Sequence, residues 1–184
     1  MVSFSPPSTS EINVFLNFSI GNSMKIRTIS LGLAIACAGV ISANAQLITY
    51  HALSTNAALT IAQTAYETCK QQGYNVSVHV VGFDGETLVA LRGVGASPHT
   101  FENSFRKAYT ARTFRTASGD IAKRAQDNPS LGLLRLTNVI PIQGALPIKA
   151  GDEVIGAVGV SGAPGGDKDE ACSKAGIDKA TPLL

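Results

Sequence analysis

Two short apolar runs, Ala145 to Lys149 and Val154 to Val160, stand on either side of the turn residues Ala150-Gly151-Asp152. Runs of this length bounded by such residues predict a β-hairpin whose strands are largely buried. Glycine packs nothing in a strand, so Gly156 and Gly159 in the second run point to something lying close to the backbone: a helix, a partner subunit or a flat ligand. Upstream, Asn75 to Phe83 and Thr87 to Arg92 are strand-like and flank Asp84-Gly85, a two-residue hairpin signal. In the first of these, Val76, Val78 and Val80 share one face, and Ser77, His79 and Val81 share the other.

Helical spacing fills the intervals. Ala58, Ile61, Ala62, Ala65 and Cys69 fall on one stripe, with Ser54, Thr55 and Asn56 as candidate N-caps and Gly73 as a stop. After a loop from Gly93 to Pro98, Thr100 is placed to cap a helix from Phe101 to about Thr116, striped by Phe101, Phe105, Ala108, Ala111 and Phe114. Ser118 begins a short helix through Ala125, ended by Asn128-Pro129. Leu131 to Leu136 reads as a helical turn or loop, and Thr137 to Ile142 as a short strand. Asp167 or Asp169 is placed to cap a last helix reaching about Lys179, where acidic residues complement the helix N-terminus. The expected fold is α+β, a central antiparallel sheet of about five strands with helices packed on it.

The N-terminal segment changes the picture of the compartment. From Met24, the chain has a basic start (Lys25, Arg27), a charge-free apolar run from Ile29 to Ile41 and the triplet Ala43-Asn44-Ala45. These are the three features of a secretory signal peptide, and the apolar run is short for a membrane span. Export to the periplasm or beyond is therefore expected, with no stable span after cleavage. Residues 1–23 lack Lys and Arg and read as a mis-assigned start or a non-structural extension. Cleavage after Ala45 leaves residues 46–184 as one domain.

Of the three cysteines, Cys37 leaves with the signal. Cys69 and Cys172 remain as an even pair in an oxidising compartment, which leaves two readings open, a disulfide or two buried thiols. The formal net charge of +2 argues against a dedicated nucleic-acid binder. No C-x-x-C, H-E-x-x-H, G-x-S-x-G or P-loop pattern is present.

Taken together, the motifs carry a resemblance. Asp84-Gly85 is followed by Arg92 and Gly95-Ala96, and then by Lys107-Ala108-x-Thr110-Ala111-x-x-Phe114. Pro141-Ile142-x-Gly144-x-x-Pro147-Ile148 comes next, then the run Val154 to Gly162, and finally Asp169-Glu170-Ala171-Cys172 with Ala175-Gly176. In this order and spacing, from about Leu53 to Ala180, the chain resembles the GlcG/HbpS family of haem-degrading or haem-binding proteins. The resemblance implies a profilin-like fold and homo-oligomers, dimers or larger. It also implies haem or another small molecule as ligand; relatives linked to glycolate metabolism imply, as the alternative, an enzyme or accessory protein acting on a small 2-hydroxy acid. A third reading is a structural or partner-binding subunit. His79 and His99 depart from the apolar residues found at these places in many members.

The residues themselves offer candidates for such a site. His99 lies at a loop-to-helix junction, where an imidazole can serve as a metal or haem-iron ligand. His51 reads as a solvated terminal residue and His79 as a hydrogen-bonded core residue. Arg106, Lys107, Arg112, Arg115, Lys123 and Arg124 concentrate positive charge that suits propionates or another small carboxylate, or simply a solvated helix face. The expected haem contacts are His99, Lys107, Thr110 and Arg106.

Overall fold

The computed structural model describes residues 48–184; the expected signal peptide, the extension before it and Cys37 lie outside them. The elements are α1 (Thr55–Gln71), β1 (Ser77–Val81), β2 (Thr87–Arg92), α2 (Pro98–Phe114), α3 (Ser118–Asp127), β3 (Ala145–Ala150), β4 (Glu153–Ser161) and α4 (Gly166–Ala180). The sheet is antiparallel throughout in the order β2-β1-β4-β3. The two predicted hairpins thus lie side by side, joined through β1 and β4. β3 is an edge strand, which is where Pro147, lacking an N–H, is tolerated.

Period-two alternation sorts the strands between two helical layers. Val78 and Val80 of β1, with Val158 and Val160 of β4, face α1 and α4 and form the larger core with Ile61, Ala62, Ala65 and Ile148. Val81 and Ala157 face the other way, against Ala108 and Ala111 of α2. α1 begins at Ser54, whose hydroxyl accepts from the Ala57 N–H, and ends before Gly73 at φ +82°. α1 and α4 pack backbone to backbone: a Cβ on Gly176 would lie 2.5 Å from the Ile61 carbonyl oxygen. At the same contact a disulfide joins Cys69 to Cys172, whose Cα atoms are 5.6 Å apart.

The two glycines of β4 have different uses. Gly159 lies under α2, where an added Cβ would stand 2.6 Å from the Ala108 nitrogen. Gly156 instead faces the neighbouring strand, where a Cβ would meet the Val81 carbonyl oxygen at 2.5 Å, beside the bulge at Ile148/Lys149. One glycine admits a helix; the other accommodates a twisted backbone.

The structure corrects the strand count: among the described residues the sheet has four strands, and Thr137 to Ile142 is not one of them. Asn138 there adopts φ +63°, and the polar backbone turns to α2 side chains. Arg106 Nη2 donates to the Val139 carbonyl at 3.0 Å, and the Ile140 N–H donates to Thr110 Oγ1 at 2.8 Å. Side-chain partners have replaced the sheet ladder. α2 also starts earlier than expected. Pro98 occupies its first turn, as the missing proline N–H allows, and Thr100 is inside the helix with its hydroxyl bonded to the Ser97 carbonyl. Leu131 to Leu136 forms two short 3-10 turns.

Candidate functional site around α2

α2 lies over β4, β1 and β3 and leaves β2 uncovered, so it has two flanks of different character. On one flank, His99, Asn103 and Lys107 share a pocket of about 300 Å³ with Ser161, the loop Gly162–Gly166 and Asp169. His99 is exposed at its mouth. Lys107 is 3 % exposed, and its Nζ donates to Asp169 Oδ2 at 2.7 Å and to the Val160 carbonyl at 3.0 Å. Asp169 Oδ1 accepts the Ala163 N–H at 3.0 Å, which ties α4 to the loop before it. Burial pushes the Asp169 carboxyl above the ordinary carboxylate range, against the pull of the Lys107 ammonium and the Ala163 N–H. Gly144 at φ +134° completes the packing: a Cβ there would lie 2.8 Å from both Lys107 Nζ and the Asp169 side chain. This ion pair locks α2, α4 and the chain entering β3 into one piece.

The other two expected contacts fall elsewhere. Thr110 is fully buried, and its hydroxyl donates to the Arg106 carbonyl at 2.7 Å, with the Ile140 carbonyl 3.2 Å away. Arg106 holds the Val139 carbonyl and lies 3.8 Å from Glu102. Both side chains fasten the 138–142 segment to α2. The structure therefore brings His99 and Lys107 together and spends Thr110 and Arg106 on the backbone beside them. Lys123 and the residues near it border a separate cleft with Gln143. Among the described residues, no cluster of three or more His, Cys, Asp or Glu is placed to hold a metal ion.

The second flank carries the residue that sequence reasoning set aside. His79 Nδ1 lies 2.8 Å from Ser104 Oγ, while the Ser104 hydroxyl donates to the Phe101 carbonyl at 2.9 Å. With the Ser104 proton on the Phe101 carbonyl, Nδ1–H is the donor and Nε2 keeps its lone pair; this is the tautomer that the hydrogen-bond network assigns. Nε2 has no hydrogen-bond partner among the described residues. Burial lowers the His79 pKa from 6.5 to about 4, so the ring is neutral at physiological pH. The rings of Phe101 and Phe105 meet it edge-on, with centroids at 4.5 and 5.8 Å. The signal available in the sequence was the alternation itself, which put a lone imidazole on the α2-facing side of β1 between Ser77 and Val81.

Further along this flank, the Arg112 guanidinium stacks on Phe83 at 4.4 Å. It is 8 % exposed, and its Nε has no partner among the described residues. Burial and the nearby Arg115 push its pKa below the ordinary guanidinium range, with Asp84, Glu86 and Glu153 pulling the other way from beyond ion-pair distance.

The family model for haem-degrading HbpS-like proteins matches residues 53–178. An uncharacterized 15.0 kDa protein from the dhaT-dhaS intergenic region of Citrobacter freundii is 36 % identical over 109 residues, 58 % of this chain and 77 % of the relative. Among solved structures, a double variant of HbpS from Streptomyces reticuli is 35 % identical, with a TM-score of 0.70 over 78 % of this chain and 97 % of the other. The PduOC–haem complex has the same fold at 23 % identity, with a TM-score of 0.64 over 70 % of this chain and 95 % of the other.

Proposed function

Because this chain belongs to the family of haem-degrading HbpS-like proteins, we propose that it is an exported, homo-oligomeric haem-binding protein that holds the tetrapyrrole against α2. The observation that carries this reading is the bracketing of one helix by two imidazoles, His99 exposed on one flank and His79 under the other. Imidazole is a common ligand for haem iron, and arginine suits the carboxylates of a tetrapyrrole. The solved complex of PduOC with haem, on the same fold, adds support.

The residues present fit haem by donor chemistry. The pocket below His99, at about 300 Å³, is at the low end for a small-molecule site and would take only the edge of a macrocycle. When bound, haem would supply the iron and its redox chemistry. The protein's own residues would supply an imidazole, cations for the carboxylates and apolar cover.

Export is supported by the features of residues 24–45 and by a disulfide suited to an oxidising compartment. Self-association is supported by the exposed Leu131, Leu134, Leu136 and Ile142 on one connecting segment. No helix among the described residues is long and apolar enough to cross a membrane. Titration with hemin is expected to give a saturable Soret shift; no shift at micromolar protein removes the haem reading.

One observation favours a second reading, a small carboxylic acid as ligand or substrate. The His99–Lys107 pocket is small, and polar groups and loop backbone form much of its wall. If that reading is right, glycolate-like acids raise the melting temperature and hemin does not, because a ligand of the native state must stabilise it.

A further inference from the structure

The flank of α2 above the β1–β2 hairpin has a floor that no helix covers. His79 pairs with Ala90, Val81 with Thr87 and Ser77 with Arg92, so all three β2 residues point to the α2 side of the sheet. All three are exposed. The wall is the row Phe101, Phe105, Tyr109 and Arg112, whose spacing of four, four and three residues sets it on one side of the helix. Phe101 is 40 % exposed despite its size.

Two polar groups on this flank make no hydrogen bond among the described residues, His79 Nε2 and the buried Arg112 Nε, and they lie near opposite ends of it. His79 offers Nε2 with its lone pair in the tautomer assigned from the Ser104–Phe101 hydrogen bond, and Ser104 orients the ring as a second hydrogen bond orients a metal-ligating histidine. Arg112 offers a guanidinium whose Nε is buried without a partner and which makes no ion pair among the described residues. An unpaired buried charge is unfavourable until an opposite charge arrives. From Ser104, beside His79, to Arg112 the helix rises roughly 12 Å at 1.5 Å per residue. A ligand that satisfies both groups presents a metal, or an N–H or O–H donor, to His79 and an anion such as a carboxylate to Arg112. Beside the Phe101 and Phe105 rings, a flat apolar macrocycle with a central metal and peripheral carboxylates does both.

We infer that the haem-type ligand lies on this flank, with the metal facing His79 Nε2, a carboxylate on Arg112 and the ring against Phe101 and Phe105. This inference rests on the haem reading above and decides between the two flanks. His99, on the opposite flank, is then not the iron ligand.

The chain has three histidines, which makes the test direct. The untagged double variant His51→Ala/His99→Ala has His79 as its sole imidazole. Titrated with hemin, it is expected to keep the imidazole-type ferric absorption and electron paramagnetic resonance signature of the unsubstituted chain. His79→Asn, which keeps a donor for Ser104 and removes Nε2, is expected to lose that signature. Arg112→Gln is expected to weaken binding of both hemin and metal-free protoporphyrin IX about tenfold to hundredfold, as loss of a charge-assisted hydrogen bond implies. His79→Asn should leave the metal-free ring bound.

Loss of imidazole ligation in the double variant, or unchanged affinity in Arg112→Gln, overturns the inference while the haem reading stands. Failure of the unsubstituted chain to bind hemin removes the haem reading and this inference with it. The double variant replaces two exposed side chains, so it keeps the test decisive even if His79→Asn does not fold.

Discussion

Gly159 of β4 and Ala108 of α2 touch through their backbones: a Cβ on the glycine would stand 2.6 Å from the alanine nitrogen. α2 can lie this low on the sheet only because neither residue brings bulk to the contact. Gly159→Ala must lift the helix or bend the strand, and overpacking of this kind costs about 1–3 kcal/mol. Urea unfolding of the variant is expected to show a lower midpoint with an unchanged slope. A midpoint within error of the parent would mean that the helix rises freely.

Lys107 and Asp169 form an ion pair with both side chains about 4 % exposed. Removing one partner of such a pair leaves a buried charge and costs about 3–5 kcal/mol, whereas replacing both with apolar groups is often close to neutral. Lys107→Met alone is therefore expected to destabilise strongly, and Lys107→Met with Asp169→Leu to recover most of the loss. A double-mutant cycle by denaturant unfolding checks this. Additive losses would show that the two side chains act independently.

The Cys69–Cys172 bond closes a loop with a sequence separation of 103. A cross-link this long restricts the unfolded chain strongly, and losing a native disulfide costs about 2–5 kcal/mol. Cys69→Ser with Cys172→Ser is expected to lower the melting temperature, and reductant is expected to lower that of the parent alone. The readout is thermal unfolding by circular dichroism with and without dithiothreitol. Equal melting of parent and variant would show that packing at Gly176 holds the helices unaided.

Most of the fold was legible because burial enforces periodicity. The valines of β1 and β4 had to alternate between two helical layers, and the small stripe of α1 had to meet a close neighbour. The segment 137–142 misled for a physical reason: its apolar residues look strand-like, but Asn138 turns the backbone and Thr110 and Arg106 take its polar groups. Nothing local announces that a threonine thirty residues upstream will replace a strand partner. The site was legible in part. His99 and Lys107 share a pocket, as their positions near one helix suggested. His79 went unselected because its value lies in Ser104, Phe101 and Phe105, which only the crossing of α2 over β1 brings to it.

The buried imidazole also sets a pH dependence with a definite sign. His79 has a folded-state pKa lowered to about 4 from 6.5, so the fold prefers the neutral ring. Above pH 6.5 neither state holds the proton and the full stability is present. As pH falls from there towards 4, the unfolded chain binds a proton that the native state refuses, and stability drops by about 1.4 kcal/mol per pH unit. Over the window the loss reaches about 3 kcal/mol. Asp169 acts in the opposite sense at the acid end, because its raised pKa gives stability that is lost as pH rises through it. Comparison with His79→Asn isolates the histidine, since every other group is common to both chains. The difference in unfolding free energy between parent and variant is expected to shrink steadily from pH 7 to pH 4. A constant difference would show that His79 takes up its proton inside the fold, with Ser104 and the two phenylalanine rings giving way to it.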